Sequence, residues 1–192
     1  MAAMVQASHI VFEVNDNYQK QTYRNRTYIA HSNGKLLLNI PIKHTKSGIK
    51  QKTRNVSTDD SFPWRSQHWK SLHSAYRSSP YFEFYEDELF PFFNETIHSL
   101  LELNLKSWNM VCELLEISKE YSFTEAYQVE SDIPDLRNMV DAKSEPDYPL
   151  ETYTQVLQEK HGFLPNLSIL DLIFNLGPNA VHYLEQQKLG IE

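Results

Sequence analysis

The chain has one cysteine, Cys112, and only five glycines in 192 residues. A lone cysteine excludes an internal disulfide, and its place in the apolar run "WNMVCELL" points to a buried thiol. A reducing cytoplasm suits such usage. Scarce glycine and 22% charged residues exclude a fibrous repeat and argue against disorder. There is no GxxxxGK[ST] loop, no GxSxG elbow, no CxxC pair and no HExxH, so nothing supports a P-loop, a covalent serine or cysteine mechanism, or a zinc site. No window approaches the roughly 18 apolar residues of a spanning helix. The N-terminus lacks the basic-then-apolar order of a secretory leader. These absences predict a cytoplasmic protein with no membrane span, no metal and no cofactor.

Carboxylates are missing locally as well. Asn17 to Thr58 contains nine Lys or Arg residues and neither Asp nor Glu, in a chain whose net charge is −7. The remainder holds the other nine cations and all 25 carboxylates. Such asymmetry makes a local positive field inside a molecule that repels polyanions. Nucleic acid, which needs many phosphate contacts, is therefore disfavoured. A compact anion with two phosphates fits better. The alternative is a solvated basic face at a sheet edge.

Length and 41% hydrophobic content predict one domain over 1–192. Residues 1–60 read mainly as strands and a basic loop, and 61–192 mainly as helices, giving a mixed α/β or α+β fold with a small N-terminal sheet. "AAMVQA" reads as the tail of an uncapped helix, and "HIVFEV" as a buried strand ending at the turn cluster "NDN". Asn33-Gly34 between two strand-like runs predicts a hairpin with positive φ at both residues. A short strand is expected around Thr53 to Ser57. A helix follows from Pro63, capped by Ser61 or Asp60 and stopped at Ser79-Pro80. "YFEFYEDELFPFF" reads as an aromatic, acidic junction. Two helical pieces, Thr96 to Leu101 and Leu105 to Ile117, hinge at Asn104. "YSFTEAYQV" is a candidate strand, and the following loop of about twenty residues has a length that suggests a function. Helices are expected over 150–160, 166–175 and 178–188.

Candidate site residues cluster in "DNYQKQTYRNRTYI". Read as a strand, this segment puts Tyr18, Lys20, Thr22, Arg24 and Arg26 on one face. Lys20, Arg24 and Arg26 would hold phosphates, with the arginines offering bidentate donors, and Tyr18 would pack on the ligand. The competing reading makes the tyrosines core anchors and the cations solvent-facing. "KHTKSGIKQK" adds Lys43, His44 and Lys46 near a glycine. His68 is a candidate general base, against the alternative of a hydrogen-bonded core histidine. Asp16 and Asp171 are candidates for orienting polar groups. Asp171 lies in "LSILDLIF" and must be buried with a partner, an ion pair tying down the arginine strand being the structural alternative.

The segments "DNYQKQTYRNRTYI", "GKLLLNIPIKH", "WRSQHWKSLHSAYRSSPYFEFYEDEL" and "EKHGFLPNLSILDLIFNLGP" resemble the WbqC-like family, in its Bacteroidetes-type branch. The resemblance runs from His9 to Leu184. It implies that an N-terminal strand and a histidine-proline loop usual in the family are missing here. It also implies a place in surface-polysaccharide and O-antigen biosynthesis, with transfer of an acyl or aminoacyl group, glycyl among them, to a nucleotide-linked amino sugar. The family's charged and polar signature falls on Asp16, Gln19, Lys20, Asn25 and Arg26, with His68 and Tyr76 in the central helix. The expected ligand is an anionic small molecule, a nucleotide sugar. A non-catalytic binding or scaffold protein of a polysaccharide assembly system is the alternative.

Overall fold

The computed structural model describes residues 1–45, 50–143 and 148–190. It is a mixed α/β structure. Helix α1 (Ala2–Gln6) leads into β1 (Ile10–Phe12), and β2 (Arg26–His31) into β3 (Gly34–Asn39). Then come α2 (Trp64–Tyr76), α3 (Phe82–Asn94), α4 (Leu100–Leu114), β4 (Tyr121–Phe123), α5 (Gln158–His161), α6 (Ile169–Leu176) and α7 (Ala180–Gln186).

The expected small N-terminal sheet is two separate pairs of strands among the described residues. β1 runs parallel to β4, with Ile10 opposite Tyr121, so its partner comes from the far side of three helices. β2 and β3 form an antiparallel hairpin from Arg26–Asn39 to His31–Gly34. The turn itself is Ser32-Asn33, one residue earlier than expected, and only Gly34 takes a positive φ, +103°. The region around Thr53 is a 3-10 turn, Thr53–Asn55, and not a strand.

The main core lies where β2 meets α2, α3 and α6. Ile29, Tyr76, Ile173 and Phe174 are fully enclosed there. Phe82 packs edge-on against Phe174, with centroids 5.0 Å apart. The aromatic junction is helix α3, because Phe82, Tyr85, Leu89 and Phe93 recur at three and four residues and give it an inward stripe. Pro91 sits within it without ending it. The two helical pieces are one helix, α4, with its N-terminus capped by Ser99, which accepts from Glu102 N. Cys112 lies on its buried face, and burial pushes the thiol's pKa up, as a structural cysteine requires. The helix expected over 150–160 is only α5, preceded by irregular chain from Tyr148. At α2 neither Ser61 nor Asp60 caps: Pro63 is the N-cap residue, with no side-chain capping bond. Asp60 instead accepts from Arg65 Nη1 at 2.7 Å and Trp64 Nε1 at 3.3 Å.

Candidate functional site

The segment from Asn17 to Asn25 is not a strand but an irregular loop clamped on two sides. On one side the backbone of residues 51–54 bonds to it: Tyr18 N to Gln51 O at 2.8 Å and Thr53 N to Asp16 O at 2.9 Å. On the other, Tyr23 N donates to Val140 O at 2.7 Å and Ala142 N to Gln21 O at 3.2 Å. Gln21 takes the left-handed φ of +61° that the tight path requires. Strand alternation therefore does not apply, and Thr22, expected on the ligand face, is buried. Part of the long loop after β4 thus has a defined place, bracing the basic segment. Lys46 lies among the residues outside the description.

Within the clamp, Arg24 Nη2 meets Asp16 Oδ2 at 2.5 Å, with both side chains mostly buried. The other Asp16 oxygen accepts from Thr53 Oγ1. Both oxygens of Asp16 are thus engaged by the protein. Asn104, expected to be a hinge, sits inside α4 and donates to the Arg24 carbonyl at 2.8 Å. It fixes the arginine's backbone from across the fold, a role nothing in its sequence neighbourhood marks. Tyr18 donates to Asn25 Oδ1 at 2.9 Å, and Asn25 Nδ2 in turn donates to Ile40 O at 2.9 Å. Asn25 thereby closes the open end of the hairpin.

Two guanidinium N–H groups are left over. Among the described residues Arg24 Nη1 and Arg26 Nε are buried with no hydrogen-bond partner, as is Arg65 Nε outside the loop. Burial raises the pKa of Tyr18, while Arg26 and then Arg24 pull it back, which places both cations near its phenol. A buried donor without an acceptor costs about 1–3 kcal/mol, so these are the loop's donors with unused hydrogen-bonding capacity. Lys20 and Gln19 are exposed at the rim of the same loop. Lys43 and His44 are exposed too, and Lys43 acts on Asp59, whose pKa is lowered chiefly by hydrogen bonds from Ser61.

His68 stands elsewhere. It lines an open groove of about 390 Å³ between β3 and α2, together with Leu36 to Asn39, Pro41, Phe62, Trp64, Gln67 and Ser71. None of the loop residues from Tyr18 to Arg26 lines it. Asn39 joins the two places: it pairs with Arg26 in the hairpin register, accepts from Asn25 Nδ2 at 3.3 Å, and hydrogen-bonds His68 through its backbone. Burial lowers the His68 pKa to about 4, against the raising effect of that backbone bond. The imidazole is neutral at physiological pH.

Asp171 is fully buried and touches neither place. It has no cation partner among the described residues, which corrects the expected ion pair. Neutral donors satisfy it instead: Tyr153 at 2.6 Å, Tyr76 at 2.8 Å and Gln155 at 3.1 Å. The tie to the hairpin is real but indirect, since Tyr76 also accepts from Ala30 N on β2 at 3.0 Å.

Residues 1–145 and 144–183 match the WbqC-like protein family. The chain belongs to that family. It is also 28% identical over 194 residues to an uncharacterized Mycobacterium tuberculosis protein, Rv1507c, covering 87% of this chain and 83% of that one. No solved structure matches. Of the polar signature that the family resemblance implies, Asn25 ends the clamped loop, Asp16 and Arg26 flank it, the latter as the first residue of β2, and Gln19 and Lys20 are exposed at its rim. His68 lies on the far side of Asn39 and Tyr76 in the core. Sequence reasoning missed Gln67 and Ser71, although Trp64, Gln67, His68 and Ser71 follow the spacing of one helical face. Among the described residues no helix is long and apolar enough to cross a membrane.

Proposed function

We propose that this WbqC-like chain binds a sugar nucleotide by its phosphates at Arg24 and Arg26, and that it transfers a small acyl or aminoacyl group to the amino sugar in cytoplasmic surface-polysaccharide biosynthesis. The observation that carries the reading is the pair of buried, unpartnered guanidinium N–H groups beside Tyr18. After the Asp16 charge is set against Arg24, Arg26 and the rim residue Lys20 leave two net positive charges over residues 16–26, which suits a small anion and not a polyanion. In the transfer, the sugar's amine nitrogen would bond to the acyl carbon of an activated ester or thioester. The carbon–heteroatom bond of the donor breaks, and the leaving group departs with its electron pair. His68 would take the amine's proton, and positioning would supply most of the rate.

One observation favours binding without turnover. A histidine held at about 4 is a weak base toward an amine, and no loop carboxylate is free to replace it, since Asp16 is engaged at both oxygens. Calorimetry with uridine and thymidine diphosphate sugars tests the anion site, using Arg26→Met, which spares the Arg24–Asp16 pair. A loss of at least about tenfold, or about 1.4 kcal/mol, is expected; equal affinity removes the site. Mass spectrometry of a nucleotide-linked amino sugar incubated with acyl donors then separates transferase from binding protein.

A further inference from the structure

The groove beside His68 differs chemically from the arginine loop. Among the described residues none that lines the groove is an Asp, Glu, Lys or Arg. Phe62, 65% exposed, and Leu37, 40% exposed, leave apolar surface open to solvent at its edge. Two primary amides, Asn39 and Gln67, and the Ser71 hydroxyl supply donors and acceptors along the same walls. The imidazole of His68 is neutral there, with its ring against Trp64 at 5.1 Å between centroids.

We infer that this groove is a subsite for an uncharged pyranose ring, gripped by the Phe62 face and by hydrogen bonds to Asn39, Gln67 and Ser71. A phosphate or carboxylate would enter without a counter-charge and lose its hydration. A purely alkyl ligand would cover the amides and the hydroxyl without bonding them, which costs more than it returns. A sugar has one C–H-rich face that suits the negative face of an aromatic ring, and a rim of hydroxyls that suits amides. The volume of about 390 Å³ is at the small end for ligand sites, enough for one ring or two. This deepens the reading above: the arginine loop takes the charged part of a substrate, and the groove, joined to it through Asn39, takes a neutral sugar.

Saturation-transfer NMR with methyl β-glucoside and methyl N-acetyl-β-glucosaminide, which carry no phosphate, tests the subsite. Transfer to the ring C–H protons is expected with the unaltered protein and with Arg26→Met. Phe62→Ala, at an exposed position that leaves the core intact, is expected to weaken binding about fivefold, or about 1 kcal/mol. Gln67→Ala should weaken it in the same direction. Absence of transfer to both glycosides, or undiminished transfer in both variants, overturns the inference. Because the probes have no phosphate, that result is separate from the nucleotide titration: glycoside binding with failed nucleotide binding leaves the groove standing and removes the anion site.

Discussion

Tyr76 and Asp171 are 95 residues apart in sequence and 2.8 Å apart in space, phenol to carboxylate, inside the core. The same phenol accepts the amide of Ala30 at 3.0 Å. One hydroxyl therefore ties α2, α6 and the β2–β3 hairpin together. Tyr76→Phe leaves the Ala30 N–H and one carboxylate oxygen without partners, and is expected to cost about 3 kcal/mol in urea denaturation. Tyr153→Phe should cost about 1–2 kcal/mol, because Gln155 still donates to the same Asp171 oxygen at 3.1 Å.

Asp171 also gives a pH dependence with a defined sign. Burial raises its pKa, and the hydrogen bonds from Tyr153, Tyr76 and Gln155 oppose the rise without cancelling it. The folded state thus holds the proton more tightly than the unfolded chain. The contribution is fully present below the unfolded value of about 3.9 and is lost as pH rises through the raised folded value. Comparing urea stability of the parent and Asp171→Asn across acidic to neutral pH should show the parent falling relative to the variant as pH increases. A constant difference would mean that Asp171 does not titrate on folding.

Arg24 and Arg26, two residues apart, should respond unequally to truncation. Arg24→Met strands Asp16, 9% exposed at its side chain, and is expected to cost about 3 kcal/mol. Arg26→Met breaks no ion pair among the described residues and removes an unsatisfied N–H, so stability should change by less than about 1 kcal/mol. Thermal or urea unfolding of the two variants checks this. A large loss at Arg26 would make it a structural arginine and weaken its assignment to a ligand.

How much of this was legible before coordinates depends on sequence separation. The hairpin was, because its signal lies within a few residues around Gly34, and so was the burial of Asp171 among "LSIL" and "LIF". The partners of Asp171 were not: Tyr76 and Tyr153 belong to other elements, and nothing local distinguishes them from other core tyrosines. The basic segment was visible as a charge pattern. Its shape was not, because two remote pieces of chain, 51–54 and 140–142, impose it through backbone hydrogen bonds that carry no side-chain signature. Helix α3 was missed for a different reason: Pro91 and the acidic residues masked a periodicity that Phe82, Tyr85, Leu89 and Phe93 do carry.

His68 should behave as a neutral ring through the physiological range. Its pKa of about 4 lies below the unfolded value of about 6.5. A depressed histidine contributes stability above the unfolded pKa and loses it as pH falls through 6.5 toward the folded value, about 4. NMR of the imidazole carbons should show a midpoint near 4, and His68→Gln should flatten the stability profile in that interval. A midpoint near the ordinary value would show a solvated ring and undercut the neutral groove.

Gly177 closes α6 at φ +53°, and a Cβ built there would lie 2.5 Å from Cδ1 and 2.7 Å from Cγ of Tyr81. Two costs then add in Gly177→Ala: a backbone at positive φ with ψ −126°, outside the left-handed helical well and about 1–3 kcal/mol for a residue with a Cβ, and displacement of a ring whose Cγ cannot swing away without moving its own backbone. Tyr81 is held there by its N–H to Phe174 O at 3.0 Å, at the centre of the core. A loss of about 2–3 kcal/mol is expected. Gly162, at φ +69° and ψ −165° with nothing within 4 Å of its Cβ position, carries a backbone cost without a clash, so Gly162→Ala should lose about 1–3 kcal/mol. The double variant Gly177→Ala, Tyr81→Ala should be less destabilised than its singles sum to, because removing the ring removes the clash. Additive losses would mean that the strain at Gly177 is backbone alone.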